Sequence, residues 1–168
     1  MTGVQTCALP IDYEIAEEIL GLYQFHNRIM HWFIDGVTHE ESVLQLPFKH
    51  NCMNWIFGHI VTNRSHVLEV VGATHTWQEE VRKLYHQDTQ PITQDTPSIN
   101  FEKLITYMDE SVTFLETALD DKSEAWLDEN FTNYRGEKTR YEHAMSFHWH
   151  VRKTVKTHTL NGRCRTVS

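Results

Sequence analysis

The sequence predicts an all-α protein, a four-helix bundle running up and down, with its longest connection between the second and third helices. Three observations lead there. Four segments carry apolar residues at the three- and four-residue spacing of a helix, and three of them run for about twenty residues. No stretch between them alternates with the period of two that a half-buried strand requires. The 168 residues, 40% hydrophobic and 23% charged, suit one domain with a single core.

The first helix is expected over Asp12 to Asp35. Ile15, Ile19, Leu22, His26, Ile29 and Phe33 repeat at alternating steps of four and three. Asp12, Glu14, Glu17 and Glu18 crowd its start, where the helix dipole favours negative charge. Gly36 closes it, and Val37 to Lys49 reads as a connection. The second helix is expected from Asn51 to Val71, closed by Gly72 as a left-handed C-terminal residue. Thr74 to Ser98 is polar and contains Pro91 and Pro97; it reads as a short helical piece around Trp77 to His86 followed by a surface loop. The third helix, Asn100 to Leu119, has the cleanest stripe: Phe101, Leu104, Ile105, Met108, Val112, Leu115 and Leu119. A turn of helix is expected around Trp126 and Leu127, then a turn at Asn133 to Gly136. The fourth helix opens on Thr139-Arg-Tyr-Glu142, in which hydroxyl and carboxylate satisfy each other's backbone donors.

Charge restricts the partners. The net charge is −8 with no cluster of Lys or Arg, which argues against nucleic acid or an anionic membrane as the main partner. No apolar run has transmembrane length and no signal-peptide pattern is present, so a cytoplasmic protein is expected. The 12 histidines are scattered singly, and most are expected on solvated helix faces.

Both termini read as foreign to the bundle. Residues 1–11 resemble the translation of a sequencing adapter and have no helical or strand period, so they are set aside as a scar. Residues 151–168 are basic and without a clear amphipathic period, as a shifted reading frame would leave them. With both ends discounted, Cys52 is the remaining thiol. It is expected as a small core residue in a reducing compartment.

The candidate chemistry is histidine chemistry. His59 stands three and four positions from Trp55, Ile56, Thr62 and Asn63, on the inner side of the second helix. Such a histidine is either a hydrogen-bonded core residue or a metal ligand. His26, inside the first helix's stripe, reads as a core imidazole. The fourth helix offers His143, His148 and His150, and no pair of them stands three or four apart, the spacing that aims two ligands at one ion. His148 shares a stripe with Tyr141, Ala144 and Met145 and is expected inward. Bundles hold metals between facing helices, and imidazole suits zinc, nickel, copper and iron alike.

The segment Asn54-Trp-Ile-Phe-Gly-His-Ile60, preceded by Leu46-Pro-Phe48, resembles the second helix of the DinB/YfiT-like superfamily. The likeness extends to the helix that starts at Glu142 and, loosely, over residues 12–150. The resemblance implies a four-helix bundle, often metal-binding; a homodimer is a further expected assembly, apart from the resemblance. It implies one ligand histidine on the second helix, matched by His59, and a His-x-x-x-His pair followed by Gly-Gln on the last. An ungapped match puts His150 at the first histidine of that pair and Thr154 at the second, with no Gly-Gln following. This copy has lost its metal, or its natural C-terminus differs, or His148 substitutes through a local distortion. The expected ligands are therefore His59, His150 and His148, and the expected metal is nickel or zinc.

The activity implied by the resemblance is that of a divalent-metal-dependent transferase or hydrolase. Its nucleophile would be a metal-activated low-molecular-weight thiol or water. The alternative is a non-catalytic bundle that dimerises or binds a small ligand and has an incomplete metal site. Substrate identity is not written in the sequence.

Overall fold

The computed structural model describes residues 15–45 and 51–149, and over these the protein is mostly helical. The elements are α1 (Ile15–Ile34), α2 (His39–Ser42), α3 (Met53–Val70), α4 (Gln78–Tyr85), α5 (Phe101–Leu119) and α6 (Glu124–Leu127). A two-stranded antiparallel hairpin follows, β1 (Asn130–Asn133) and β2 (Gly136–Thr139), and then a helix over residues 140–149, α7. The adapter-like residues 1–11, the segment 151–168, the Leu46-Pro-Phe48 stretch, His150 and Thr154 lie outside the described residues.

α3 sits in the middle. It is buried nearly all round, although it carries Asn54, His59, Thr62, Asn63, Arg64, Ser65 and His66. Burial of so polar a helix requires partners for its side chains. Asn54 donates to the Ser42 hydroxyl (3.3 Å) and the Ile99 carbonyl (3.0 Å) and accepts from the Tyr85 hydroxyl (2.8 Å). Arg64, only 2% exposed, lies 4.2 Å over the Tyr23 ring and donates to the Tyr23 carbonyl (3.2 Å). The C-terminus closes as the sequence predicts. Gly72 has φ +74, its N–H donates to the Glu69 carbonyl, and the Ala73 N–H donates to the Leu68 carbonyl. This is the paired bonding of a Schellman end.

α5 buries Phe101, Leu104, Met108, Leu115 and Leu119 of the expected stripe, leaves Ile105 and Val112 half-buried, and is capped by Asn100, whose side chain accepts from the Glu102 and Lys103 N–H groups. It packs on α3, where Phe101 meets Phe57 edge to face, and on α1, where Asp109 accepts from Asn27 (2.8 Å) and pairs with His31 (2.6 Å). α7 joins α1 through the Tyr23 hydroxyl, which donates to the Ala144 carbonyl (2.8 Å).

The α1 face is turned from the predicted one. Ile19, Tyr23, Met30 and Ile34 are buried, whereas Phe33 is exposed. Aromatic residues stand all around this helix, so the apolar pattern fits two neighbouring faces. The bonds of Tyr23 to Arg64 and Ala144 fix which one turns inward. The predicted plain connection from Val37 also contains α2. Thr38 and Glu41 form a capping box there, with Glu41 N–H to Thr38 Oγ1 at 3.2 Å and Thr38 N–H to Glu41 Oε2 at 2.9 Å.

The hairpin is the larger departure. Its strands, Asn-Phe-Thr-Asn and Gly-Glu-Lys-Thr, hold one large apolar residue, so no period of two marks them. It is held by its surroundings. His143 is fully buried, accepts at Nδ1 from the Asn133 amide (3.3 Å) and donates from Nε2 to the Phe131 carbonyl (2.8 Å). The Thr139–Glu142 capping box then starts α7, at 3.1 and 3.0 Å.

Two glycines in helices test this packing with opposite signs. Alanine is ordinarily the better helix residue by about 1 kcal/mol. Gly21 on α1 is exposed and has nothing within 4 Å of where a Cβ would stand, so Gly21→Ala should raise stability by roughly that amount. At Gly58 a Cβ would come under 3.0 Å from three carbons of the Tyr85 ring. Gly58→Ala should therefore cost about 1–3 kcal/mol, lowering the melting temperature by about 3–10 °C. A stabilised Gly58→Ala protein would contradict the α3–α4 packing described.

Candidate functional site

The site is built on one face of α3, the face shared by His59, Thr62, Asn63 and His66 at steps of three, one and three. All four are buried. Thr62 donates to the Gly58 carbonyl (3.0 Å) and Asn63 to the His59 carbonyl (2.8 Å), so neither leaves a buried donor unmet along the helix.

His59 is fixed from two sides. Its ring stacks on Trp55 one turn earlier, with centroids 5.0 Å apart and planes within 9°. Its Nδ1 lies 2.8 Å from the Tyr85 carbonyl oxygen. A carbonyl only accepts, so Nδ1 carries a proton, and in the neutral ring the lone pair sits on Nε2. The Tyr85 carbonyl is available because α4 ends there: His86 turns to an extended conformation (φ −64, ψ 152), leaving the last carbonyls of the helix without backbone partners. Tyr85 is itself held at its far end. Its hydroxyl donates to Asn54 and accepts from the Ile99 N–H, both at 2.8 Å. Its ring lies against the backbone of α3 at Gly58.

His66 is fixed differently. Arg82 of α4 donates from one nitrogen to His66 Nδ1 (2.8 Å) and to Glu69 Oε2 (2.6 Å). Nδ1 is therefore the acceptor, and the proton is on Nε2. Burial, with the Arg82 charge second, pushes the imidazole from its ordinary 6.5 down to about 4, so His66 is neutral at neutral pH.

A small pocket of about 30 Å³ runs along this face. α3 supplies one wall, with His59, Thr62, Asn63 and His66. His86 and Gln87, just after α4, and Tyr134 and Arg135, from the hairpin turn, complete it. Arg135 lies 4.4 Å over the Phe147 ring and donates to the Ser146 hydroxyl (3.3 Å). The turn that carries it is held by its own N–H to the Asn133 side chain (2.8 Å).

The other predicted residues fall elsewhere. His148 is buried on α7, but its ring stacks on His26 of α1, centroids 4.2 Å apart and planes within 5°, and it does not line the pocket. His26 is half-buried rather than fully in the core, and it packs against that neighbouring ring. His143 pins the hairpin. Cys52 is buried, and burial raises its thiol pKa, consistent with a packing role. Sequence reasoning missed His66, His86 and Arg135. His66 stands seven positions from His59 and so shares its face, a signal that was present. Arg135 needed the hairpin, which nothing in the pattern announced.

A resident metal fits these residues in part. His59 has the arrangement of a ligand, with its remote nitrogen bonded to a backbone carbonyl and its lone pair on the other. Among the described residues, however, no three His, Cys, Asp or Glu side chains converge as a metal site. His59 is one donor, and the described residues do not complete a three-ligand set around it.

No protein-family model and no curated protein matches the sequence. Among the described residues, no helix is long and apolar enough to cross a membrane.

His66 makes the fold sensitive to acid. Its folded-state pKa lies below that of the unfolded chain, so the unfolded chain takes up protons first as pH falls. The stability it contributes is complete above 6.5 and is lost as pH falls toward about 4. His75, also shifted down by burial, acts in the same sense. Urea midpoints should fall across that window, and His66→Gln should flatten the slope without abolishing it. An unchanged slope in the variant would remove His66 from this role.

Proposed function

We propose that α1, α3, α5 and α7 form a four-helix bundle of the DinB/YfiT-like class and that the pocket beside His59 is its small-molecule site. The function best supported is that of a metal-dependent transferase or hydrolase. The observation that carries it is the His59–Tyr85 bond, which presents the imidazole with the protonation a metal ligand needs. In this reading His59 is the first ligand, His150 the second, and His148 a third only if α7 turns it away from His26. Nickel or zinc suits imidazole donors. The chemistry such an ion supplies when bound is acidification of a thiol or a water near neutral pH.

The chain's own residues do the rest. Trp55 and the Tyr85 carbonyl hold His59 in one orientation, burial and then the Arg82 charge keep His66 neutral, and Arg135 brings a positive charge to the pocket lining. A low-molecular-weight thiol is the nucleophile that the family resemblance suggests. Phe25, Trp32 and Phe33 are exposed on α1, an apolar face suited to a homodimer.

One observation favours a second reading, a non-catalytic bundle that binds a small ligand without metal. It is the lack of three converging donors among the described residues. Metal content of the purified protein, measured by plasma mass spectrometry beside His59→Ala and His150→Ala, separates the two. The metal-dependent reading expects about one equivalent of nickel or zinc in the parent protein and its loss in both variants. No metal after reconstitution with excess divalent ions would leave the ligand-binding reading.

A further inference from the structure

The side chains lining the pocket include no carboxylate, although the chain carries 23 acidic residues against 15 Lys and Arg. Their one permanent charge is the Arg135 guanidinium. Among the described residues Arg135 has no ion-pair partner: the pairs present there use His31, His66, Arg82, His86, Lys103 and Lys122. It donates to one neutral hydroxyl, Ser146, and packs against the Phe147 ring at 4.4 Å and, more loosely, the Tyr134 ring at 6.0 Å. A guanidinium has five N–H donors, so this leaves most of its capacity unused.

A second group of the lining is a neutral N–H donor. His66 is 8% exposed, and Arg82 occupies its Nδ1, which forces the proton onto Nε2. That buried N–H has no acceptor among the described residues. It is covered by the Tyr134 ring, 4.8 Å away between centroids, and Tyr134 is itself exposed at the tip of the hairpin. Thr62 spends its hydroxyl on the Gly58 carbonyl and Asn63 one amide N–H on the His59 carbonyl. The pocket therefore offers a cation and a neutral donor, and no anion to meet them.

We propose that this pocket takes the carboxylate group of a small molecule, with Arg135 as its charged donor and Tyr134 moving aside to admit it to His66. The inference rests on the reading of the pocket as the ligand site, though not on the presence of a metal. Donor shape favours a carboxylate among the oxyanions. The planar fork of Arg135 matches a carboxylate edge to edge.

The test is a titration of the isotopically labelled full chain with sodium acetate at constant ionic strength. The His66 and Arg135 side-chain nitrogen resonances report binding, and inorganic phosphate serves as the second probe. Saturable shifts at both residues are expected with acetate. Arg135→Gln should weaken binding at least about tenfold, Arg135→Lys should keep part of it, and Arg28→Gln, on the exposed side of α1, should change nothing. If Arg135→Gln does not fold, the Arg135 and His66 shifts in the parent protein decide alone. Non-saturating acetate shifts would overturn the proposal, as would tighter binding of phosphate or equal binding by Arg135→Gln. If metal binds at His59 while acetate does not saturate, the carboxylate inference fails and the pocket remains the site. If neither binds, both fail.

Discussion

The Tyr85 ring rests on the backbone of α3 at Gly58, and most of what positions the site depends on that contact. It brings α4 close enough for the Tyr85 hydroxyl to reach Asn54 at one end of the residue and for its carbonyl to meet His59 at the other. A side chain at Gly58 would push the ring outward, and the carbonyl would move with it. His59 would then lose the partner that sets its tautomer. The same approach carries Arg82 to His66. One glycine thus couples the packing of two helices to the chemistry of two imidazoles.

α3 is an unusual central helix because its buried surface is polar along much of its length. Each polar group costs free energy to desolvate unless it is bonded. Asn54, Thr62 and Asn63 recover that cost within the helix or from the elements beside it. Arg64 and His66 recover it less completely: Arg64 keeps its charge against the Tyr23 ring, with two nitrogens unbonded among the described residues, and His66 keeps one N–H unbonded. A core selected for stability alone would favour apolar residues at these positions. Incompletely satisfied buried groups beside a pocket are what a binding function would retain.

How much of this the sequence disclosed varies with the element. α5 was legible because its stripe has one unambiguous face, and the ends of α3 and the start of α7 because Gly72 and Thr139–Glu142 are local signals that need no tertiary context. His59 was placed on the inner side correctly. The rotation of α1 was not legible, since Phe25, Trp32 and Phe33 blur its apolar face and a long-range bond from Tyr23 decides between the alternatives. The hairpin was not legible because its strands are polar and are stabilised from outside by His143. Arg135 was hidden with it. His148 was rightly read as inward, but inward on α7 means toward α1 and His26, not toward His59.

The candidate site turns on the protonation of a single ring. Most directly, a two-dimensional long-range proton–nitrogen spectrum of the histidine side chains, at neutral pH and without added metal, reads that state. With His59 assigned by substitution, the structure predicts a proton on Nδ1 and an unprotonated Nε2, the less common form for a free imidazole. A proton on Nε2, or rapid exchange between the two forms, would contradict the Tyr85 bond and with it the reading of His59 as the anchor of the site.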